Sequence, residues 1–184
     1  KLDVVGGETM RIGFLSMDAL GRGGDHPLKD ARVRKAVAHA INRQGITESL
    51  MPAGSRPVHA ACYPKQFGCT DDVQKYAYDP DKAKELLAEA GYPDGFIVVL
   101  DAYRDRDLAE AMISDLRAVG IIADLSYNKY AAAREKVRTG QTILNFSTWG
   151  SYSINDASAI TSNFFRGGPD DAGAGRHDCR FRAA

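Results

Sequence analysis

An acid, a proline, an apolar stripe at helical spacing, a glycine and then a β-branched run form the pattern that most constrains this chain. Asp79-Pro80-Asp81 supplies an N-cap, a proline at the first helical position and an acid in the first turn. Ala83, Leu86, Leu87 and Ala90 recur on one helical face, and Gly91 supplies the C-terminal stop. Tyr92-Pro93-Asp94-Gly95 is a turn, and Phe96 to Leu100 is a short apolar strand. The unit then repeats. Asp107 caps a helix carrying Leu108, Ala111, Met112, Leu116 and Val119, closed by Gly120, and Ile121 to Ser126 is a strand. Ala131 to Arg138 is a helix ended by Gly140, Thr142 to Trp149 a strand, and Asp156 caps a last helix with Ile160, Phe164 and Phe165. Strands alternating with helices of about 10–15 residues imply right-handed crossovers and a sheet with helices on both faces. The fold class is α/β.

The first third is less regular. Met10 to Met17 reads as a strand with Met10, Ile12, Phe14 and Ser16 on one face, and the glycine-rich stretch from Leu20 to His26 reads as a flexible loop. Gly21, Gly23 and Gly24 match neither GxGxxG nor GxxxxGK[ST], so no phosphate cradle is expected. Asp30 caps a helix with Val33, Ala36, Val37, Ala40 and Ile41 inward and Arg32, Arg34 and Lys35 on a solvated face. His39 lies off the apolar stripe and reads as a surface histidine. A second helix covers about Gln44 to Met51.

With 184 residues, 44% of them hydrophobic, the chain can bury one core. Acidic and basic residues balance at 24 each, which gives no field toward nucleic acid or an anionic membrane. No apolar run approaches the roughly 20 residues that span a bilayer, so no direct membrane insertion is expected. Lys1 to Gly7 lacks the charged and apolar regions of a secretory signal. Cys62 and Cys69 flank Tyr63-Pro64-Lys65-Gln66-Phe67-Gly68, whose turn residues allow disulfide distance. Two free thiols, or a zinc site of His59, Cys62, Cys69 and Asp71, are the alternatives. Residues beyond Gly167 have little to bury and read as a disordered or non-native tail, with Cys179 a free thiol.

Two segments carry a resemblance. Pro27-Leu28-Lys29-Asp30-Ala31-Arg32-Val33-Arg34-Lys35-Ala36-Val37 and the following residues to Arg43 resemble a helix of the family 5 solute-binding proteins. These serve ABC importers of peptides, nickel and related ligands. Tyr78-Asp79-Pro80-Asp81-Lys82-Ala83-Lys84-Glu85-Leu86-Leu87, running on to Phe96, is similar to that family's most specific segment. The resemblance covers roughly residues 9–170. It implies a lobe of the type II periplasmic-binding-protein kind: 1–8 as a crossover segment, 9–170 as an incomplete ligand-binding lobe and 171–184 as the tail. It also implies export to the periplasm, closure over a peptide-like or other small solute, and delivery to ABC permease subunits, with no cofactor and no catalysis. A signal peptide is then missing because the chain is a fragment.

Open α/β sheets bind ligands beyond the carboxyl ends of their strands. Two such ends offer chemistry. One leads to Tyr103 and Arg104, where the guanidinium suits a carboxylate; a solvated, salt-bridged loop is the plain alternative. The other leads to Trp149, Gly150, Tyr152 and Asn155. Trp149 resembles the tryptophan of the family's GWxxD cleft segment, where an Asp three residues on holds a peptide ammonium. Tyr152 stands at that position here, so the resemblance implies weaker dependence on a free amino terminus. Asn155 or Asp156 supplies a polar group, although Asp156 is equally a helix cap. A small hydrolase-like enzyme and a protein-interaction domain presenting the Asp30–Asn42 helix are the rival readings. The first lacks GxSxG and HExxH motifs, and the second has only ordinary amphipathicity.

Overall fold

Four strands share one sheet in the computed structural model, which describes residues 9–150 and 154–164, the last three by backbone alone. They are β1 (Ile12–Met17), β2 (Phe96–Ala102), β3 (Ile121–Tyr127) and β4 (Leu144–Trp149), in the spatial order β1-β4-β2-β3. β2 runs parallel to β3 and β4, whereas β1 is an antiparallel edge with Ile12 opposite Trp149. The helices are α1 (Ala31–Ala40), α2 (Arg43–Leu50), α3 (Pro80–Glu89), α4 (Arg106–Ala118), α5 (Tyr130–Arg138) and α6 (Ser158–Phe164). The expected α/β class is what the chain adopts. The boundaries expected at 1–8 and 171–184, and Cys179, lie outside the described residues.

Local chemistry sets most helix starts. The side chains of Asp30, Asn42 and Asp79 accept the backbone N–H groups of Arg32, Gly45 and Lys82, satisfying donors that the first turn leaves orphaned. α4 departs from the expectation. Its cap position is Asp105, at φ 48° and with no capping bond, and Asp107 sits inside the first turn. There it favours the helix electrostatically rather than by capping.

One sheet face carries the main core. Val98, Leu100, Ala102, Ile121, Ala123, Leu144 and Phe146 are buried with apolar residues of α1, α3 and α4. Val33, Ala36, Val37 and Ala40 of α1 are consumed in that packing, as the expected inward stripe requires. The crossover rule explains the opposite face. The chain moves one way from β2 to β3 and then back past β2 to β4, so two right-handed crossovers need helices on opposite sides. α5 accordingly lies on the second face, where Lys136 Nζ donates to Asp101 Oδ1 at 2.8 Å and Ser126 Oγ at 3.0 Å. Ser16, Asn145, Asp101 and Ser126 are register partners in one polar row across all four strands of that face. Nearer the amino ends of β2 and β3 the same face leaves Ile97, Val99 and Ile122 exposed.

The glycine-rich loop is more ordered than its composition implies. Asp18 Oδ1 accepts the N–H groups of Leu20 and Gly21; its Oδ2 accepts that of Gly23 and lies 3.1 Å from His26 Nε2. Burial pushes the Asp18 carboxyl up, but these hydrogen bonds and the nearby His26 outweigh it, and the pKa ends below its ordinary value. A lowered folded-state pKa contributes stability that is present above the unfolded value, about 3.9, and is lost as pH falls through the folded one. Unfolding free energy should therefore decline on acidification below about pH 4. Asp18→Asn should flatten that decline in urea titrations; an unchanged acid limb would overturn the assignment.

Candidate ligand cleft

Because β4 returns past β2, the carboxyl ends of these two strands lie side by side where the direction of chain winding reverses. That is the switch point at which open sheets form a crevice. β4 starts opposite Leu100 of β2, so its far end, Trp149, projects beyond β2. The order of the strands thus brings the Tyr103-Arg104 loop and the Trp149-Gly150 segment to one edge of the sheet.

The β2 loop is internally braced. Tyr103 and Tyr130, the first residue of α5, hold their rings 5.2 Å apart at a 59° tilt. Arg104 Nε donates to Asp105 Oδ2 at 2.9 Å, with 38% of the Arg104 side chain exposed. Slight burial works against the guanidinium charge, but the Asp105 carboxylate and the Tyr103 hydroxyl outweigh it and raise its pKa further. Arg104 therefore stays cationic and carries its own counter-ion, as the plain reading of this loop anticipates. Asp105 is the one non-glycine residue with positive φ among the described residues. Its left-handed conformation turns the chain from β2 into α4 at some cost in strain.

Trp149 is half-buried on the second face, packed on a satellite core of Ile12, Cys62, Tyr63, Ala157 and Ile160. Cys62 and Cys69 form a disulfide with Cα atoms 5.9 Å apart. Both sulfurs are thereby removed from any thiolate metal site. The sequence did not reveal that this disulfide loop docks on the chain leaving β4. Phe67 N–H donates to the Asn155 carbonyl, Ala157 N–H to the Phe67 carbonyl, and Gln66 Nε2 to the Ile154 carbonyl. Gln66 is almost fully buried, and its Oε1 also accepts the Tyr63 N–H at 3.0 Å. The partners across this contact lie 88 to 90 residues apart, so no local pattern announces them. A shallow groove of about 420 Å³ runs along this contact, lined by residues including Cys62, Phe67, Thr70, Asp156 and Ser158.

Of the sequence-predicted residues, Trp149 and Gly150 stand at the carboxyl end of β4, and Tyr103 and Arg104 directly follow that of β2. Asn155 is exposed and uses its carbonyl to hold Phe67. Asp156 accepts the Ser158 N–H at 2.8 Å and so acts as the α6 cap. Tyr152 lies outside the described residues.

Known proteins share this chain's sequence pattern and fold. The dipeptide-binding protein of Escherichia coli K12 is 30% identical over 140 residues, which span 72% of this chain and 25% of that protein. Heme-binding protein A of Haemophilus influenzae is 27% identical over 131 residues, 67% of this chain and 24% of its own length. The chain thus spans about a quarter of the curated relatives it matches. A periplasmic binding protein, DppA of Helicobacter pylori in complex with peptide STSA, superposes with a TM-score of 0.77 at 23% identity. That superposition covers 85% of this chain and 30% of the other. The sequence profile of bacterial extracellular solute-binding proteins, family 5 Middle, matches residues 1–171, and the chain therefore belongs to the family 5 bacterial extracellular solute-binding proteins.

Proposed function

We propose that this chain forms one lobe of the solute-binding component of an ABC import system. The lobe holds a peptide-like or other small solute in an interlobe cleft for delivery to membrane permease subunits, in the periplasm and without catalysis. The observation that carries the reading is the pairing of two chemically useful loops, Tyr103-Arg104 and Trp149-Gly150, at the switch point of the sheet. An aromatic wall with a few polar groups is the usual make-up of a small-molecule site. Relatives named for binding a dipeptide and heme support a family-wide role in solute capture. Tyr152, standing where the resemblance expects an acid, points to a solute held less by a free ammonium than by its body and its acidic end.

The test is calorimetry with dipeptides on the two-lobed protein. Removing the Trp149 wall should weaken binding roughly 5- to 150-fold, the value of one buried aromatic contact. Arg104→Ala should have a smaller effect, since Asp105 already occupies that guanidinium. Unchanged affinity in both variants would place the cleft elsewhere.

A further inference from the structure

We propose that Ser147 and Asn145 form a polar subsite of this cleft for a neutral group that both donates and accepts, a hydroxyl or a primary amide on the body of the solute. The proposal rests on the cleft reading above and names the chemistry the lobe selects. Asn145, Ser147 and Trp149 alternate along β4 and so project from one face of the sheet, the second. Asn145 pairs with Asp101 of β2, which ends one residue later at Ala102. Ser147 is therefore the first residue of β4 on that face to stand beyond the end of β2. It is half-buried there, between the polar row and the Trp149 wall, with Phe14 of β1 as its register partner.

The hydrogen bonds of this row leave one donor and one acceptor unused. Ser16 Oγ donates to the Asn145 backbone carbonyl at 3.3 Å, and a hydroxyl has only one hydrogen to give. Ser16 Oγ can then only accept from the Asn145 side chain, 3.4 Å away, which turns the amide nitrogen toward it. The same nitrogen donates to Ser147 Oγ at 3.0 Å. Both amide hydrogens are thus engaged. Among the described residues, Asn145 Oδ1 receives no donor and the Ser147 hydroxyl hydrogen meets no acceptor. Asn145 is only 5% exposed, and polar groups so deeply buried are ordinarily paired. The charges nearby are balanced, with Lys136 on Asp101 and Arg104 on Asp105. A carboxylate only accepts and an ammonium only donates, so neither answers both unused groups. A hydroxyl or a primary amide answers both at once, while the apolar part of the solute rests on Trp149.

The experiment is calorimetry on the full-length protein with dipeptides in matched sets. Glutamine is compared with glutamate and methionine, and threonine with valine, at either position of the peptide. Wild type should bind the glutamine or the threonine member roughly three- to tenfold tighter than its near-isosteres, the value of a neutral hydrogen bond. A glutamine preference identifies the group as an amide, and a threonine preference identifies it as a hydroxyl. Ser147→Ala should bring the favoured member down to its isosteres at an unchanged melting temperature. Ser147→Thr, which keeps the hydroxyl, should retain the preference. Glutamate, methionine and valine members that bind wild type as tightly overturn the proposal, as does a preference that survives Ser147→Ala. If Trp149→Ala weakens every member while Ser147→Ala changes none, the cleft reading stands without this subsite. A wild type that retains no dipeptide overturns the cleft reading, and the proposal falls with it.

Discussion

Phe146→Ala is expected to cost about 3–5 kcal/mol of unfolding free energy, the range for deleting a large core aromatic. Phe146 is 1% exposed and sits in β4 beside Leu15 of β1, its register partner. Its ring also covers Gly13: a Cβ there would lie 3.4 Å from Phe146 Cε2. Truncating the ring removes its own transfer free energy and leaves a cavity in a close-packed core that relaxes only partly to fill it. Ile97→Ala is the control. Ile97 is 70% exposed on the open part of the second face, so its loss should stay within about 1 kcal/mol. Chemical denaturation of both variants decides the matter: a Phe146→Ala loss under about 1.5 kcal/mol would mean that the β4 core is not packed as described.

Gly95→Ala should cost about 3 kcal/mol or more, through a different mechanism. Gly95 holds φ 78°, and a Cβ there would fall 1.9 Å from the Gly120 carbonyl oxygen and 2.4 Å from its carbon. Main chain cannot move aside as a flexible side chain would. These glycines immediately precede the first register pair of β2 and β3, Phe96 with Ile121, so relief of the clash must separate the strands where pairing begins. Gly91→Ala isolates the backbone contribution. Its φ is 92° with nothing within 4 Å of the added carbon, and the left-handed conformation alone should cost about 1–2 kcal/mol. Equal melting-temperature shifts in the two variants would show that the close approach of the strands is not what demands glycine at 95.

The periodic elements were legible because their signals are local. Asp79-Pro80, the Leu86-Leu87 stripe and Gly91 each act within one or two helical turns, and α3 forms between those residues. The start of α4 lacks such a signal. A left-handed Asp105 has no composition signal, and Asp107 in the first turn looks like a cap when only spacing is read. The order of the Leu20 to His26 loop is equally hidden, since nothing local says that the Asp18 carboxylate gathers its N–H groups.

The sequence by itself determined which segments are helix and strand, which faces are apolar, and which strand ends carry aromatic and cationic side chains. These follow from periodicity, capping and turn chemistry, interactions that span a few residues. Tertiary structure alone decided the sheet order, the antiparallel edge formed by β1 and the docking of the Cys62–Cys69 loop on the chain after Trp149. Each of these joins residues dozens of positions apart, where shared burial and hydrogen-bond satisfaction select the partner and no short pattern records the choice.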